Sequence, residues 1–301
     1  MRSEAGPSSG GASLPELPEV ETLRRELEPR LRGRVIRSLS TFPSRVFQLD
    51  PADLEVAVVG QTIHAVSRRA KYLIFELDRW YWIIHLGMTG QLTVPDEFGE
   101  SNGSSLDGDA HIALVARLSR SRILVFRDVR KFGRVMLLSR DGGGLGSRLG
   151  SLGPEPLGSG YLLEDFLDRL GKRKARIKSV LLDQKVVAGV GNIYADEALF
   201  EAGVHPARRV RYIRRWEKVK LFEAIPRVLQ KAVHHGGTTL QDYRRSRGNP
   251  GEYQSMLKVY GRDGQSCAHC GSTIRKTVIS QRGSHFCPNC QPRKPRPRPV
   301  A

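Results

Sequence analysis

Four cysteines constrain this chain more tightly than any other feature. Cys267-x2-Cys270 and Cys287-x2-Cys290 are the only cysteines in 301 residues, and sixteen residues separate the two pairs. Each pair puts two thiolates on one side of a tight bend, and one ion drawing both pairs together closes a β-hairpin between them. A segment of about 30 residues cannot bury enough surface to fold by itself. The first 14 residues, MRSEAGPSSGGASL, hold no apolar core and so no secretory signal that would favour disulfides. The spacing therefore predicts one zinc ion. Four thiolates leave no open coordination position, so this zinc is structural. Lys276, Gln281 and Arg282 are expected near the hairpin tip. Such a tip suits a DNA groove, with simple solubilisation as the competing reading.

Charge narrows the partner. The chain has 49 Lys+Arg and 31 Asp+Glu, a formal net charge of +18. Residues 205–301 alone hold 21 basic and 5 acidic residues, leaving residues 1–204 nearly neutral. A basic half joined to a neutral one points to an anionic polymer and binding driven by counterion release. At 39% hydrophobic and 27% charged residues the composition is that of a globular protein. No apolar run approaches the ~18 residues of a membrane span. The expected setting is the reduced cytoplasm, with no membrane partner and the protein working as a monomer.

The pattern of apolar residues divides the chain. Residues 1–14 read as a disordered Gly/Ser-rich leader. From Pro18, Val20, Leu23, Leu27 and Leu31 recur at helical spacing, with Pro29 expected to kink or end the helix. Seven β-like runs follow: 35–42, 62–66, 72–77, 80–86, 111–118, 123–127 and 134–138. Asp78-Arg79 forms a tight hairpin between two of them. This α+β arrangement predicts an N-terminal β-sandwich with flanking helices over 15–140. Segment 99–109 reads as an exposed loop and 141–150 as a flexible linker. Helical periods over 161–170, 175–182, 193–202, 214–236 and 240–245 define a second domain, 151–259. The zinc finger occupies 260–291, and 292–301 is a basic, Pro-rich, disordered tail.

The motifs in combination identify the chain as similar to one family. Pro15-Glu16-Leu17-Pro18-Glu19-Val20-Glu21 resembles the N-terminal signature of the formamidopyrimidine-DNA glycosylases, bacterial enzymes that remove oxidised purines. The resemblance continues through RRAKYL (68–73), HLGMTG (85–90), DVRKFG (128–133), LGPEPL (152–157), DQKVVAGVGNIYADE (183–197), GGTTL (236–240) and the four cysteines. Leu17 favours this family over its endonuclease VIII relatives. The resemblance implies a helix–two-turns–helix unit in the second domain and duplex DNA with oxidised bases in the cleft between the halves.

It also implies roles. Pro15 matches the amine nucleophile that attacks the sugar, and Glu16 the proton-transfer carboxylate. Glu19 and Glu21 read as charges at a helix N-terminus, with a supporting role for Glu19 open. Lys71 matches a phosphate-contacting lysine that donates a proton in β-elimination, and Arg282 the corresponding arginine for δ-elimination. Met88, Arg130 and Phe132 match the trio that fills the hole left by the flipped nucleotide. Lys178, Asn192 and Tyr194 match DNA-contacting positions. GVGNIY lacks the third glycine and preceding strand of a dinucleotide site. SRGNPGEY (246–253) matches a loop that closes over the damaged base. The usual lysine of that loop is Asn249 here, and the usual Pro and second Arg of the void-filling loop are Val129 and Lys131. Lesion preference is therefore not carried over.

One departure bears on the chemistry. Behind Leu14, Pro15's nitrogen is a tertiary amide without a nucleophilic lone pair. The expectation is that translation starts at position 14, through a codon read as Leu internally but as Met at initiation, leaving Pro15 first after Met removal. Proteolytic removal of the leader, or an inactive protein, are the other readings. The sequence leaves open an enzyme for oxidised pyrimidines, or a noncatalytic damage-binding protein if Pro15 stays blocked.

Overall fold

The leading helix, α1 (Leu17–Leu31), is buried in two cores at once. A computed structural model describes residues 14–95, 109–141, 143–240 and 243–294. The expectations for residues 1–13, most of 99–109 and 295–301 lie outside these. In α1, Val20, Leu23, Leu27 and Leu31 line the stripe read from the sequence and enter the core of the N-terminal domain. Leu17, one turn earlier, enters the core of the helical domain instead. Pro29 does not end the helix, which runs on to Leu31.

The N-terminal domain is the expected sandwich. One sheet has the order β1-β6-β7-β5 and the other β2-β3-β4-β8. The strands are β1 (Ile36–Thr41), β2 (Ala65–Arg69), β3 (Tyr72–Glu76), β4 (Trp80–His85), β5 (Gly90–Thr93), β6 (Ile112–Leu118), β7 (Arg122–Asp128) and β8 (Arg134–Ser139). All pairs are antiparallel. Between β3 and β4, Asp78 and Arg79 make the two-residue turn that leaves Glu76 opposite Tyr81. Phe75 and Trp82 face each other across that pair, ring centroids 5.2 Å apart, inside the sandwich.

Two elements were not anticipated. Helix α2 (Pro51–Val58) starts with Asp50 accepting from the Ala52 N–H at 2.8 Å and with Pro at the first helical position. Its signal was the cap, because only Leu54 and Val58 are buried. Strand β5 is four residues long and follows the HLGMTG turn directly. The segment 141–150 is not a free linker. It carries a helical turn, α3 (Gly144–Leu149), whose Leu149 packs beside Ile74, Ile83 and Met136 on the outer face of the second sheet.

The second domain is helical: α4 (Leu163–Gly171), α5 (Ile177–Leu181), α6 (Asn192–Glu201) and α7 (Arg215–His234). The helix expected over 240–245 is absent at its described residues. There the Thr239 hydroxyl bonds the Tyr243 carbonyl at 3.1 Å, and the chain forms an extended strap over α1. The finger follows as a hairpin of β9 (Arg275–Ile279) and β10 (Arg282–Phe286). Because Leu17 is fully buried in the helical core, Leu17→Ala is expected to cost about 3 kcal/mol in denaturant unfolding.

Candidate active site

Glu16 enters α1 in extended conformation, and both it and Pro15 are buried. Glu16 does not point to solvent. Its carboxylate accepts from the N–H groups of Gly191 at 2.8 Å, Ile193 at 2.9 Å and Tyr194 at 3.4 Å. These are the orphan donors at the start of α6, so the carboxylate caps that helix from another domain. The glycines of GVG serve this approach. A Cβ on Gly191 would overlap the Glu16 carboxyl group. Gly189, at φ +87, sits against Leu17 and accepts the Leu17 N–H at 3.1 Å.

Behind Glu16 lies a second carboxylate. Glu19 accepts the Glu16 N–H at 2.8 Å, the Thr238 N–H at 2.7 Å and the Tyr194 hydroxyl at 2.5 Å. Burial, then the neighbouring Glu16 charge, push its pKa up to about 7. Burial also raises Glu16, opposed first by the Lys71 charge and then by the three amides. The supporting role left open for Glu19 is thus a structural one at least: it ties α1, α6 and the GGTTL turn together.

Lys71 occupies the two-residue turn between β2 and β3, after Ala70 at φ 52. Burial lowers its pKa, while Glu16 and Glu19 counteract this. The turn is fixed from the other domain by LGPEPL. Arg68 pairs with Glu155 at 2.7 Å, and Arg69 donates to the carbonyls of Leu152 at 2.9 Å and Gly153 at 2.7 Å.

Arg282 starts β10 on the exposed side of the finger, next to a turn of Ser280 and Gln281 with φ 50 and 59. That tip bonds α5 through Ser280 and Ser179, 2.7 Å apart. Lys276, expected at the tip, pairs with His285 farther along the hairpin.

Two expected DNA contacts are corrected. Lys178 is 0% exposed, with its ammonium 2.7 Å from Asp196 and 2.8 Å from the Gly283 carbonyl. It ties α5 to α6 and to the finger instead of facing solvent. Tyr194 is also buried, its hydroxyl shared between Glu19 and Thr238. Spacing could not separate these from surface positions, because a lysine and a tyrosine are common on either side of a helix and their buried partners lie elsewhere in the chain. Asn192 is half-buried, donating to the Tyr260 hydroxyl at 3.4 Å.

Met88, Arg130 and Phe132 converge on one edge of the sandwich. Met88 lies half-buried in the β4–β5 turn, while Arg130 and Phe132 are exposed in the β7–β8 loop. The Arg130 guanidinium stands 4.8 Å from the Phe132 ring centre. Asp128 supports the pair by accepting from the Thr89 hydroxyl at 2.5 Å and the Gly133 N–H at 2.6 Å. Thr89 in turn accepts the Arg130 N–H at 2.9 Å. Gly87, at φ 64, has backbone of Phe132 where a Cβ would stand. The two loops are therefore one rigid unit.

The four cysteine sulfurs lie within 4.8 Å of one another. The Cys267–Cys290 and Cys270–Cys287 separations are 3.9 and 3.4 Å. Disulfides need about 2.05 Å, whereas two thiolates on one zinc stand about 3.8 Å apart. The sulfurs fit one structural zinc ion. Through Asp196, which accepts from Ser284 and His285, and Glu197, which accepts the N–H groups of Lys258, Val259 and Tyr260, α6 holds the finger.

Comparison with known proteins agrees with this geometry. Residues 14–135 match the family model of the formamidopyrimidine-DNA glycosylase N-terminal domain. Residues 152–244 match that of the glycosylase H2TH domain, and 264–293 that of a zinc finger found in FPG and IleRS. A formamidopyrimidine-DNA glycosylase of Herpetosiphon aurantiacus is 46% identical, over 92% of this chain and 100% of its own. One from Symbiobacterium thermophilum is 42% identical, over 93% and 90%. Among solved structures, a Lactococcus lactis FPG variant complexed with Fapy-dG DNA superposes with a TM-score of 0.83 at 38% identity, over 92% of this chain and 100% of that one.

Two outcomes follow. As a carboxylate raised to about 7, Glu19 stabilises the fold below its unfolded pKa, near the ordinary value of 4.5. That contribution is lost as pH rises through about 7. Relative to Glu19→Gln, the parent should lose up to about 3 kcal/mol between pH 4 and 8 in denaturant titrations. Chelating the zinc should speed amide exchange at 258–260 and 284–285 while β3 remains protected. The chain belongs to the formamidopyrimidine-DNA glycosylase family.

Proposed function

We propose that the chain excises oxidised purines from duplex DNA and cuts the resulting abasic strand, using Pro15 as nucleophile. The observation carrying this reading is the burial of Pro15 and Glu16 at the N-terminus of α6, electrostatically coupled to Lys71. The Pro15 nitrogen attacks C1′ of the nucleotide and the bond from C1′ to the base breaks; the C1′–O4′ ring bond then opens, O4′ taking a proton and the nitrogen losing its own, so that an iminium joins protein and sugar. This needs a secondary amine, hence a chain in which Pro15 is first. Glu16 is the carboxyl group assigned to proton transfer at the sugar ring oxygen and in the later eliminations. Loss of the C2′ proton expels the 3′ phosphate, and a second elimination expels the 5′ phosphate. Lys71 and Arg282 are the donors assigned to these two steps.

Met88 and Phe132 would wedge the stack and Arg130 would reach the orphaned cytosine, with Asn192 set against a backbone phosphate. Residues 246–253 would close over the flipped base. Lactococcus lactis Fpg has been solved with abasic DNA and with DNA containing an oxidised pyrimidine, so a lesion panel must include both base classes. Among the described residues no helix is long and apolar enough to cross a membrane. We place the enzyme in the bacterial cytoplasm, acting at the nucleoid.

The test is single-turnover cutting of duplexes carrying 8-oxoguanine, formamidopyrimidine, an oxidised pyrimidine or no lesion. The chain beginning at Pro15 should cut the two purine lesions fastest. Glu16→Gln should lower base release by about 100-fold or more. Equal rates on damaged and undamaged duplexes would refute the reading.

A further inference from the structure

After α7 the described residues 236–240 and 243–253 form a strap that touches α1 and the sandwich. Its contacts fall at two places on α1. Near the reactive end, Thr238 N–H bonds the Glu19 carboxylate at 2.7 Å, and the Tyr243 hydroxyl bonds the Glu19 carbonyl at 3.2 Å. Two turns later, one carboxylate takes the strap by both side chain and backbone. Glu26 Oε1 accepts from Arg245 at 2.6 Å and Oε2 accepts the Ser246 N–H at 2.9 Å. The Ser246 carbonyl then accepts the Val94 N–H at 2.9 Å, beside the end of β5. Ser246 is 1% exposed at this junction. Within the strap, Arg245 and Asn249 close a turn by an N–H to carbonyl bond of 2.8 Å, and the Thr239 hydroxyl accepts the Gly251 N–H at 2.8 Å.

We infer that Glu26 is a positioning residue that sets the closed position of the strap over the damaged base. The inference rests on the glycosylase reading above. Arg245 supplies the charge, and the Ser246 amide supplies the direction, so the carboxylate defines both where the strap lands and how it is turned. Glu26 touches neither the sugar nor the Pro15–Glu16 pair. Its effect reaches the site through Ser246, Tyr243, Thr238 and Glu19. A strap held in this way matters when a base must be enclosed and is dispensable when the sugar carries none.

The experiment compares the parent chain beginning at Pro15 with Glu26→Gln, and with the charge-exchanged Glu26→Arg/Arg245→Glu pair. Three readouts are taken: excision of 8-oxoguanine, cutting of a preformed abasic site, and amide exchange of 243–251. Glu26→Gln should slow excision by about fivefold, the loss of one charge-assisted bond. It should raise exchange of the strap amides while leaving abasic-site cutting unchanged. The exchanged pair should recover part of the excision rate. Unchanged excision with Glu26→Gln would overturn the inference, as would an equal fall on lesion and abasic substrates. A parent that cuts neither substrate would instead count against the glycosylase reading itself.

Discussion

At the reactive end, the two halves of this molecule are brought into register by the Glu16 carboxylate at the N-terminus of α6. Three backbone N–H groups of one domain converge on a side chain delivered by the first helix of the other. A buried carboxylate without such donors would be expelled or neutralised. Three unpaired helical donors would be nearly as costly. Each side therefore satisfies the other, and the consequence is geometric. Pro15, one residue earlier, is fixed at the seam of the domains, and Leu17, one residue later, is fixed in the helical core. The glycines at 189 and 191 allow that contact by leaving out side chains that would collide with Leu17 and Glu16.

The surrounding polar groups form layers. Glu19 holds the backbone of Glu16 and the hydroxyl of Tyr194. Glu155 and the Leu152 and Gly153 carbonyls hold the turn that presents Lys71. Asp196 and Glu197, a turn along α6, hold the zinc finger and thus the strand bearing Arg282. The zinc contributes no chemistry to the reaction; it gives a two-stranded hairpin the rigidity to keep an arginine in place. The positive charge follows the same division. It concentrates in residues 205–301, whereas the reactive end of the chain sits in the nearly neutral part.

Much of this was legible in the sequence because it rests on local rules. The cysteine spacing announced the zinc site, β-like runs between turn signals announced seven of the eight sandwich strands, and the apolar stripe of α1 was readable to the residue. Motif resemblance located the site as a set of positions. What it could not supply was direction. Lys178 and Tyr194 were expected to face DNA, yet both are turned inward, because Asp196 and Glu19 offer them buried partners more than ten residues away or on another helix. Of the strap, residues 240–245 read as helical, whereas the described ones among them are not. Its actual path is set by Thr239, Glu26 and Val94, contacts that no local pattern encodes.

The central claim is that Pro15, fixed at this seam, is the group that becomes covalently joined to DNA. Borohydride reduction during reaction of the chain beginning at Pro15 with 8-oxoguanine duplex, followed by proteolysis and mass spectrometry, tests it directly. The account predicts a trapped complex whose DNA adduct lies on the N-terminal peptide at Pro15, and none from a chain that keeps Leu14 attached. An adduct on Lys71 or another lysine, or equal trapping with Leu14 still in place, would contradict it.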